Sequence, residues 1–555
     1  MNKTPEKELV TKIHGAGTEE RREDRLQVWE DIQKGMVSNC RNYELYMRLG
    51  DYYLEENPDQ SYLCYENALF YCDVPEGRQK IEQMLCRIKE QYPVLVKKTS
   101  IIILSYNLLE YTRLCLESIR RTTPESAREI VVVDNGSSDG SVEWLRAQKD
   151  IILVENTENM GFPAGCNQGI LAGAEESDIF LLNNDTVLVA NSLFWLRMGL
   201  YDQKENGAAG SVTNNARGQT VTDDVDDAAA LTAFGEKTNI PMKRPYEVRL
   251  YLIGFAVLVK RSVVGQIGLL DERFSPGNSE DLDYGLRIIQ SGYRNVLCKN
   301  SFILHFGSRS FKKDSGEYAA LLWKNSRKLN EKWGFDVEQS TNWREDLIRL
   351  IDEPEEKLMR LLDVGCGCGA LMARAKSIYP YAEVYGIEPV SEAAGFASSI
   401  GPVLCGDAEQ SDFPWEEESF DYIMVRDTLE CLTTPENLLK KLQKYLKPNG
   451  HMIVSVPNMK HYSVLLPLLK RDEFSYRDAG ILNKRHVRLY TGTEIQKLLS
   501  RSGCIIERSG YTIAGKPDDG TEAVIDRLSS LTENSEKESF TAYRYIVVAS
   551  RPASV

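Results

Sequence analysis

No stretch of this chain approaches the roughly 20 consecutive apolar residues that a membrane-spanning helix needs. The opening residues, MNKTPEKELVTKIHG, carry no apolar signal core. These two absences predict a cytoplasmic protein with no integral membrane segment. Positive charge is in deficit: 67 Lys and Arg stand against 82 Asp and Glu, a formal net charge of -15. That balance argues against nucleic acid or an anionic membrane as the general partner. Twelve cysteines are scattered without a disulfide framework. Cys366 and Cys368 read CGC rather than CxxC, and no second pair completes a zinc site. Histidine is scarce, with only five in the chain, so few imidazoles can serve as nitrogen ligands to a metal.

What is present is ordinary for a globular protein: 42% apolar and 27% charged residues. At about 100–200 residues per domain, 555 residues predict two or three domains. Residues 1–95 read as a helical region. Its stretch YELYMRLGDYYLEENPDQSYLCYENALFYC gives two helices around a break at Asn57-Pro58. Leu49, Gly50 and Ala68 resemble one tetratricopeptide-like hairpin, but no array follows, whereas such solenoids need about three repeats. A small helical cap on the next domain is therefore favoured over a module that binds a protein partner.

Residues 96–340 alternate strand and helix signals: TSIIILSYN, EIVVVDNGSSDG, IILVEN and IFLLNNDT, with helices between them. Such alternation predicts an α/β layer fold with a parallel sheet. The polar stretch 213–245, with Asp223, Asp224, Asp226 and Asp227, reads as a surface loop. Residues 341–357 read as a charged connector, and a second α/β unit occupies 358–555. Its strand signals include LMRLLDVG, AEVYGIEP, FDYIMVRD, HMIVSVPN and YRYIVVAS, and its polar stretch 515–540 reads as an exposed insertion.

In the first α/β unit the apolar run Ile179–Leu182 stops abruptly at Asn183, Asn184 and Asp185. Asn and Asp favour turns, but the carboxyl end of a buried strand is also where open α/β sheets place their ligands. VVVDNGSSDGS puts Asp134 after an earlier strand, NMGFPAGCNQGI is a Gly-rich turn entering a helix, and EDLDYGLR and ILHFGSRSF follow. In this order the motifs resemble family 2 glycosyltransferases, which have a nucleotide-sugar-binding GT-A fold. The resemblance covers roughly residues 99–311. It implies that Asp134, with Asn184 and Asp185, contacts the donor nucleotide. It also implies that Asp185 and His305 hold Mg²⁺ or Mn²⁺ and that Asp281, beside Glu280, is the catalytic base. Asn183 stands where the family's metal motif has its first Asp. The chemistry suits these residue types. A hard cation with oxygen ligands offsets the charge of a leaving diphosphate, and a carboxylate can take the proton of an attacking hydroxyl.

In the second unit, LLDVGCGCGALMARA gives a strand, a GxGxG turn and a helix start. Glu388 ends the next strand, where an acid can accept both ribose hydroxyls. The series resembles class I S-adenosylmethionine-dependent methyltransferases over roughly residues 358–512. The resemblance implies a cofactor site formed by Asp363, Gly365, Gly367, Glu388 and Asp407. The longer GxGxxG spacing of dinucleotide binders is missing. Many relatives read Leu-Glu-His after the fourth strand; here the residues are Leu429-Glu430-Cys431. His461 and His486 remain as structural or substrate-orienting residues, and no methyl-transfer base is assigned. The sequence thus predicts a bifunctional enzyme. One domain transfers a sugar from a nucleotide-diphosphate donor to a glycan or glycoconjugate acceptor, with inversion. The other methylates a related glycan or sugar. The rival readings are a scaffold with degenerate sites, or a methyltransferase with a carbohydrate-binding adaptor.

Overall fold

The computed structural model describes residues 19–222, 227–307, 316–532 and 536–551. The chain divides into two compact units, Met1–Lys328 and Leu329–Val555. Both are α/β, as the strand-helix alternation predicted.

Four helices, Glu19–Ser38, Tyr43–Tyr53, Pro58–Tyr71 and Pro75–Gln91, open the first unit. Asn57 caps the third through its side chain, which accepts from the Gln60 N–H, and Pro58 takes the first turn, where no N–H is needed. The third helix is bound into the first unit. The Gln60 amide donates to the Met198 carbonyl at 3.0 Å, the Asn67 amide donates to the Asn191 side chain at 3.2 Å, and Arg197 pairs with Glu66.

The sheet of this unit runs β3-β2-β1-β4-β8-β6-β9-β5, with β7 paired to β9. Its strands are β1 (Thr99–Ser105), β2 (Arg128–Asn135), β3 (Ile152–Asn156), β4 (Asp178–Asn183), β5 (Thr186–Leu188), β6 (Asn206–Val212), β7 (Tyr246–Arg249), β8 (Ala256–Val259) and β9 (Arg294–His305). Strands β3, β2, β1 and β4 are mutually parallel. The continuous apolar runs of β1, β2 and β4 suit strands covered on both faces, while β3 is a more exposed edge strand. The order reverses direction at β1, with β2 on one side and β4 on the other. That is a topological switch point, where the carboxyl ends of the strands open a crevice. Register places Asp134 opposite Ser105, and Asn183 opposite Leu104, so both β1 neighbours deliver polar residues to the same edge. The stretch 213–245, expected as a loop, contains a helix at Ala228–Thr238, capped by Asp227 and anchored by buried Leu231 and Gly235. Asp223, Asp224 and Asp226 lie outside the described residues.

The second sheet runs β12-β11-β10-β13-β14-β16-β15. Its strands are β10 (Arg360–Val364), β11 (Glu383–Glu388), β12 (Val403–Cys405), β13 (Phe420–Arg426), β14 (Leu446–Pro457), β15 (Ile505–Ile513) and β16 (Ala542–Ser550). The strands from β12 to β14 are parallel, and β16 runs antiparallel to β14. Its switch point lies between β10 and β13, beside the glycine turn. Within 515–540, Asp519–Ser530 forms a helix whose side chains are mostly exposed, apart from buried Ile525. Residues 341–357, expected as a connector, pack into this second unit, where Leu347, Ile348 and Ile351 are buried with the core around β10.

No helix among the described residues is long and apolar enough to cross a membrane.

Candidate active sites

In the first unit, Asp134 is fully buried at the end of β2. One of its carboxylate oxygens accepts from the Ser137 N–H at 2.8 Å, while Oδ2 has no hydrogen-bond partner. A buried carboxylate oxygen without a donor is costly, so this atom fits a site completed by a ligand. The next residue, Asn135, was not singled out in the sequence. Its Oδ1 accepts from the Met160 N–H at 3.0 Å, and its Nδ2 donates to Asn159 at 2.9 Å. It thereby ties β2 to the Gly-rich turn 157–161. Gly161 has φ +85°, and a Cβ there would lie 3.0 Å from the backbone of Pro276, so glycine is required.

Asp185 and His305 meet at the ends of β4 and β9. Thr186 pairs with His305 in the β5–β9 ladder, so Asp185 sits one residue beyond that pair. His305 Nδ1 lies 2.8 Å from the Asn215 carbonyl. A carbonyl only accepts, so this contact places a proton on Nδ1 and, in the neutral ring, leaves a lone pair on Nε2. Nε2 stands 3.3 Å from Asp185 Oδ1, yet it is buried without a hydrogen-bond partner. Two acceptor atoms facing each other in a buried place fit a shared cation. Asn214 fixes the histidine backbone, accepting from its N–H at 2.8 Å and donating to its carbonyl at 3.1 Å. Phe255 stacks on the imidazole at 5.0 Å. The described residues contain no group of three or more His, Cys, Asp or Glu arranged to hold a metal, so a cation here needs oxygens from its ligand. Asn184 is differently engaged: its amide donates to buried Thr112 at 3.0 Å.

Asp281 lies in the first turn of the helix Glu280–Gln290 and reaches the same edge through residues 254 and 255. Its Oδ2 accepts from the Gly254 N–H at 3.4 Å, and the Phe255 carbonyl accepts from the Asn183 N–H at 2.9 Å. Burial raises the Asp281 carboxyl above its ordinary range. Burial and then the neighbouring Asp281 charge raise that of Glu280. A raised carboxylate is a stronger base, and a long, single hydrogen bond to Oδ2 leaves that oxygen available.

The second unit encloses a cavity of about 640 Å³ lined by Gly365, Gly367, Glu388, Asp407 and Asp427, among others. Gly367 has φ +56°, and a Cβ on it would fall 2.7 Å from the Ser340 Cα, so no side chain fits. Glu388 accepts from the Gly367 N–H at 2.8 Å and the Val390 N–H at 3.0 Å, fixing its carboxylate at the end of β11. Asp407 accepts from the Glu409 N–H at 2.8 Å. Asp363 is fully buried behind the turn, and neither of its oxygens has a hydrogen-bond partner. Burial pushes its carboxyl up to about 6, against the pull of Arg426. The sequence-derived residues thus surround one cavity or stand directly behind it, and a hydrogen-bond-rich ligand fits their unspent acceptors. Residues 336–344, which no sequence motif marked, form another part of the wall: Asp336, Gln339, Ser340, Asn342 and Arg344 all line it.

The two histidines of this unit have different surroundings. His486 Nε2 lies 3.8 Å from buried Glu430, and its Nδ1 lies 2.8 Å from the Ile481 carbonyl. The His461 ring lies tilted against Tyr462, with Nε2 buried and without a hydrogen-bond partner. Burial lowers His461 from 6.5 to about 4. Between those two values the unfolded chain takes up a proton that the folded chain refuses. Stability should therefore fall as pH drops from 6.5 through 4 and level off below that. Urea unfolding at pH 7 and pH 4.5 should show a smaller loss for His461→Phe than for the parent, and equal losses would remove this assignment.

Comparison with known proteins agrees with this division. Residues 100–267 match the family described as Glycosyl transferase family 2, and residues 335–508 match a methyltransferase domain family. The chain is 26% identical over 230 residues to N-acetylglucosaminyl-diphospho-decaprenol L-rhamnosyltransferase of Mycobacterium tuberculosis, covering 36% of this chain and 72% of that protein. It is 34% identical over 137 residues to trans-aconitate 2-methyltransferase of Deinococcus radiodurans, covering 24% of this chain and about half, 52%, of that protein. The solved structure of GalNAc-T7 with UDP, GalNAc and Mn²⁺ aligns at TM-score 0.36 and 14% identity, over 46% of this chain and 51% of that one.

Proposed function

We propose, for a chain that carries a family 2 glycosyltransferase domain and a methyltransferase domain, that it moves a sugar and a methyl group onto related glycans. The first unit takes a nucleotide-diphosphate sugar and transfers the sugar, with inversion, to a hydroxyl of a glycan or glycoconjugate. The observation that supports this most is convergence. Asp134, Asp185, Asp281 and His305 come from separate segments, yet all gather at the carboxyl edge of one switch point.

In this reading Asp134 receives the donor nucleotide at its unpaired oxygen. Asp185 and His305 Nε2 hold Mg²⁺ or Mn²⁺, which, when bound, offsets the charge of the leaving diphosphate. Asp281 takes the proton from the acceptor hydroxyl as that oxygen attacks the anomeric carbon from the face opposite the leaving group. Asn214 fixes the histidine backbone, and the Asn215 carbonyl holds the ring in the tautomer that leaves Nε2 free.

In the second unit S-adenosylmethionine, when bound, supplies an electrophilic methyl group. Glu388 accepts from the ribose hydroxyls, Asp407 contacts the adenine side, and the glycine turn lets the backbone approach the amino-acid portion. The unpaired carboxylate of Asp363 orients that end through its charge. A shared acceptor pathway is suggested by the fusion of the two domains in one chain.

The test is a mass-spectrometric screen of nucleotide sugars and S-adenosylmethionine against lipid-linked and glycan acceptors. Glycosylated and methylated products are expected. Methylation alone, with no nucleotide sugar bound or turned over, would favour the adaptor reading of the first unit.

A further inference from the structure

Two residues that line the cavity of the second unit, buried Arg344 and partly buried Asp427, have left-handed backbones without being glycine. Arg344 has φ +46° and Asp427 has φ +44°. They are bonded to each other: Arg344 Nη1 donates to Asp427 Oδ2 at 2.9 Å. Sparsely populated backbone conformations cost free energy and persist where their surroundings over-determine them, often at working sites. Here two such residues meet in one ion pair, 83 positions apart in the sequence.

The pair is embedded in further bonds. Arg344 Nη1 also donates to Ser455 Oγ at 3.1 Å, while Nε and Nη2 donate to Asp346 at 2.9 and 2.8 Å. Asp427 accepts from Ser455 Oγ at 2.7 Å and from Arg544 Nε at 2.7 Å. Burial alone would raise the Asp427 carboxyl; Arg344, then Arg544, overcome it and hold the group down to about 2. Asp427 is thus a fixed anion at the end of β13, and a fixed anion is a firm anchor for Arg344. The segment just before Arg344 lies on the glycine turn. The Cys368 N–H donates to the Ser340 carbonyl at 3.0 Å. Arg426 joins the Asn342 carbonyl at 2.5 Å to the Gly365 carbonyl at 3.0 Å.

We propose that the Arg344–Asp427 ion pair is a clasp that holds residues 336–342 as a wall of the S-adenosylmethionine cavity. Arg344 is a positioning residue that works through Asp427. The inference rests on the cofactor reading given above. Without the clasp, the wall keeps the contacts of Ser340 and Asn342 with the glycine turn and those of Arg485 with Gln339 and Asp336, but loses its anchor at the carboxyl end of the segment, beside β13. A cofactor would then have to order the wall at its own expense as it binds, and affinity falls accordingly.

The experiment is isothermal titration of the full chain with S-adenosylmethionine, using R344M, R344K, D427N and the double variant R344M/D427N. Amide hydrogen exchange over 336–342 and at Cys368 is followed in parallel. R344M and D427N should each bind at least tenfold more weakly than the parent, and the double variant no more than about twofold below the weaker single one. Exchange over 336–342 should accelerate in R344M. R344K keeps the charge but not the planar fork, and should fall between parent and R344M; it carries the test if R344M does not fold. Binding of R344M within twofold of the parent would overturn the clasp. So would losses that multiply in the double variant, since they would mean that Arg344 contacts the cofactor independently of Asp427. If the parent itself binds no S-adenosylmethionine, the cofactor reading falls and the clasp with it, an outcome distinct from a parent that binds and an R344M that binds equally.

Discussion

Asp281→Asn should bind the sugar donor almost as the parent does and lose turnover by about 10²–10⁴-fold, the usual contribution of a general base. Asn is nearly the same shape, and its side-chain oxygen can still accept from the Leu282 N–H, as Asp281 does at 2.8 Å. What disappears is the capacity to take a proton. Because burial raises the Asp281 carboxyl, the acidic limb of the parent's pH profile should lie above the ordinary carboxylate value of 3.8. Above that limb the base is ionised and turnover is full; below it the proton is already in place and turnover falls. Glu280, raised by burial and by the charge of Asp281, titrates with it, so the limb reports the pair. Donor titration beside single-turnover kinetics checks this. Collapse of donor affinity with normal turnover of bound donor would make Asp281 a binding residue.

Asp185→Ala should remove divalent-metal binding and sugar transfer together. A metal that offsets diphosphate charge supplies several kcal/mol; roughly 4 kcal/mol corresponds to about a thousandfold in rate. The structure gives a second readout. His305 Nε2 faces Asp185 Oδ1 at 3.3 Å with no hydrogen bond between them. Mn²⁺ held by that pair together with the oxygens of an added nucleoside diphosphate should be visible by electron paramagnetic resonance in the parent and lost in both Asp185→Ala and His305→Ala. Circular dichroism should show the parent fold in each. Full transfer in excess chelator would eliminate the metal from the account.

The residues legible from sequence are those that sit at the ends of strongly patterned strands. Ile179–Leu182 is a buried apolar run stopped at the sheet edge by Asn183, Asn184 and Asp185, and buried Leu361, Leu362 and Val364 lead directly into the glycine turn. Gly365, Gly367 and Glu388 were legible because one strand-turn-helix unit contains the turn and the next strand ends in the acid. The clamp of Asn214 and Asn215 on His305 was not legible, because it joins residues 91 and 90 positions apart, each time through a side chain on a backbone atom, which carries no sequence signature. The same holds for Arg344 and Asp427, since the charged segment 341–357 looks like a solvated connector until its burial is seen. The helix Ala228–Thr238 escaped for another reason: its small residues and the acids before it match a loop composition, and only Leu231 and Gly235 are buried. Asn135 carries no motif signal of its own, although its amide holds the Gly-rich loop to β2.

Two active centres with separate chemistry should respond separately to a single substitution, Glu388→Ala. Isothermal titration with S-adenosylmethionine is run beside a sugar-transfer assay on the same protein. Removing the carboxylate deletes the acceptor for the ribose hydroxyls and also frees the Gly367 N–H that it fixes at 2.8 Å. A hydrogen bond to a charged group contributes about 1.5–3 kcal/mol, and about 1.4 kcal/mol is a factor of ten. Cofactor affinity should therefore fall at least about tenfold, while sugar transfer stays near the parent rate. Equal loss of both activities in a folded protein would contradict the account.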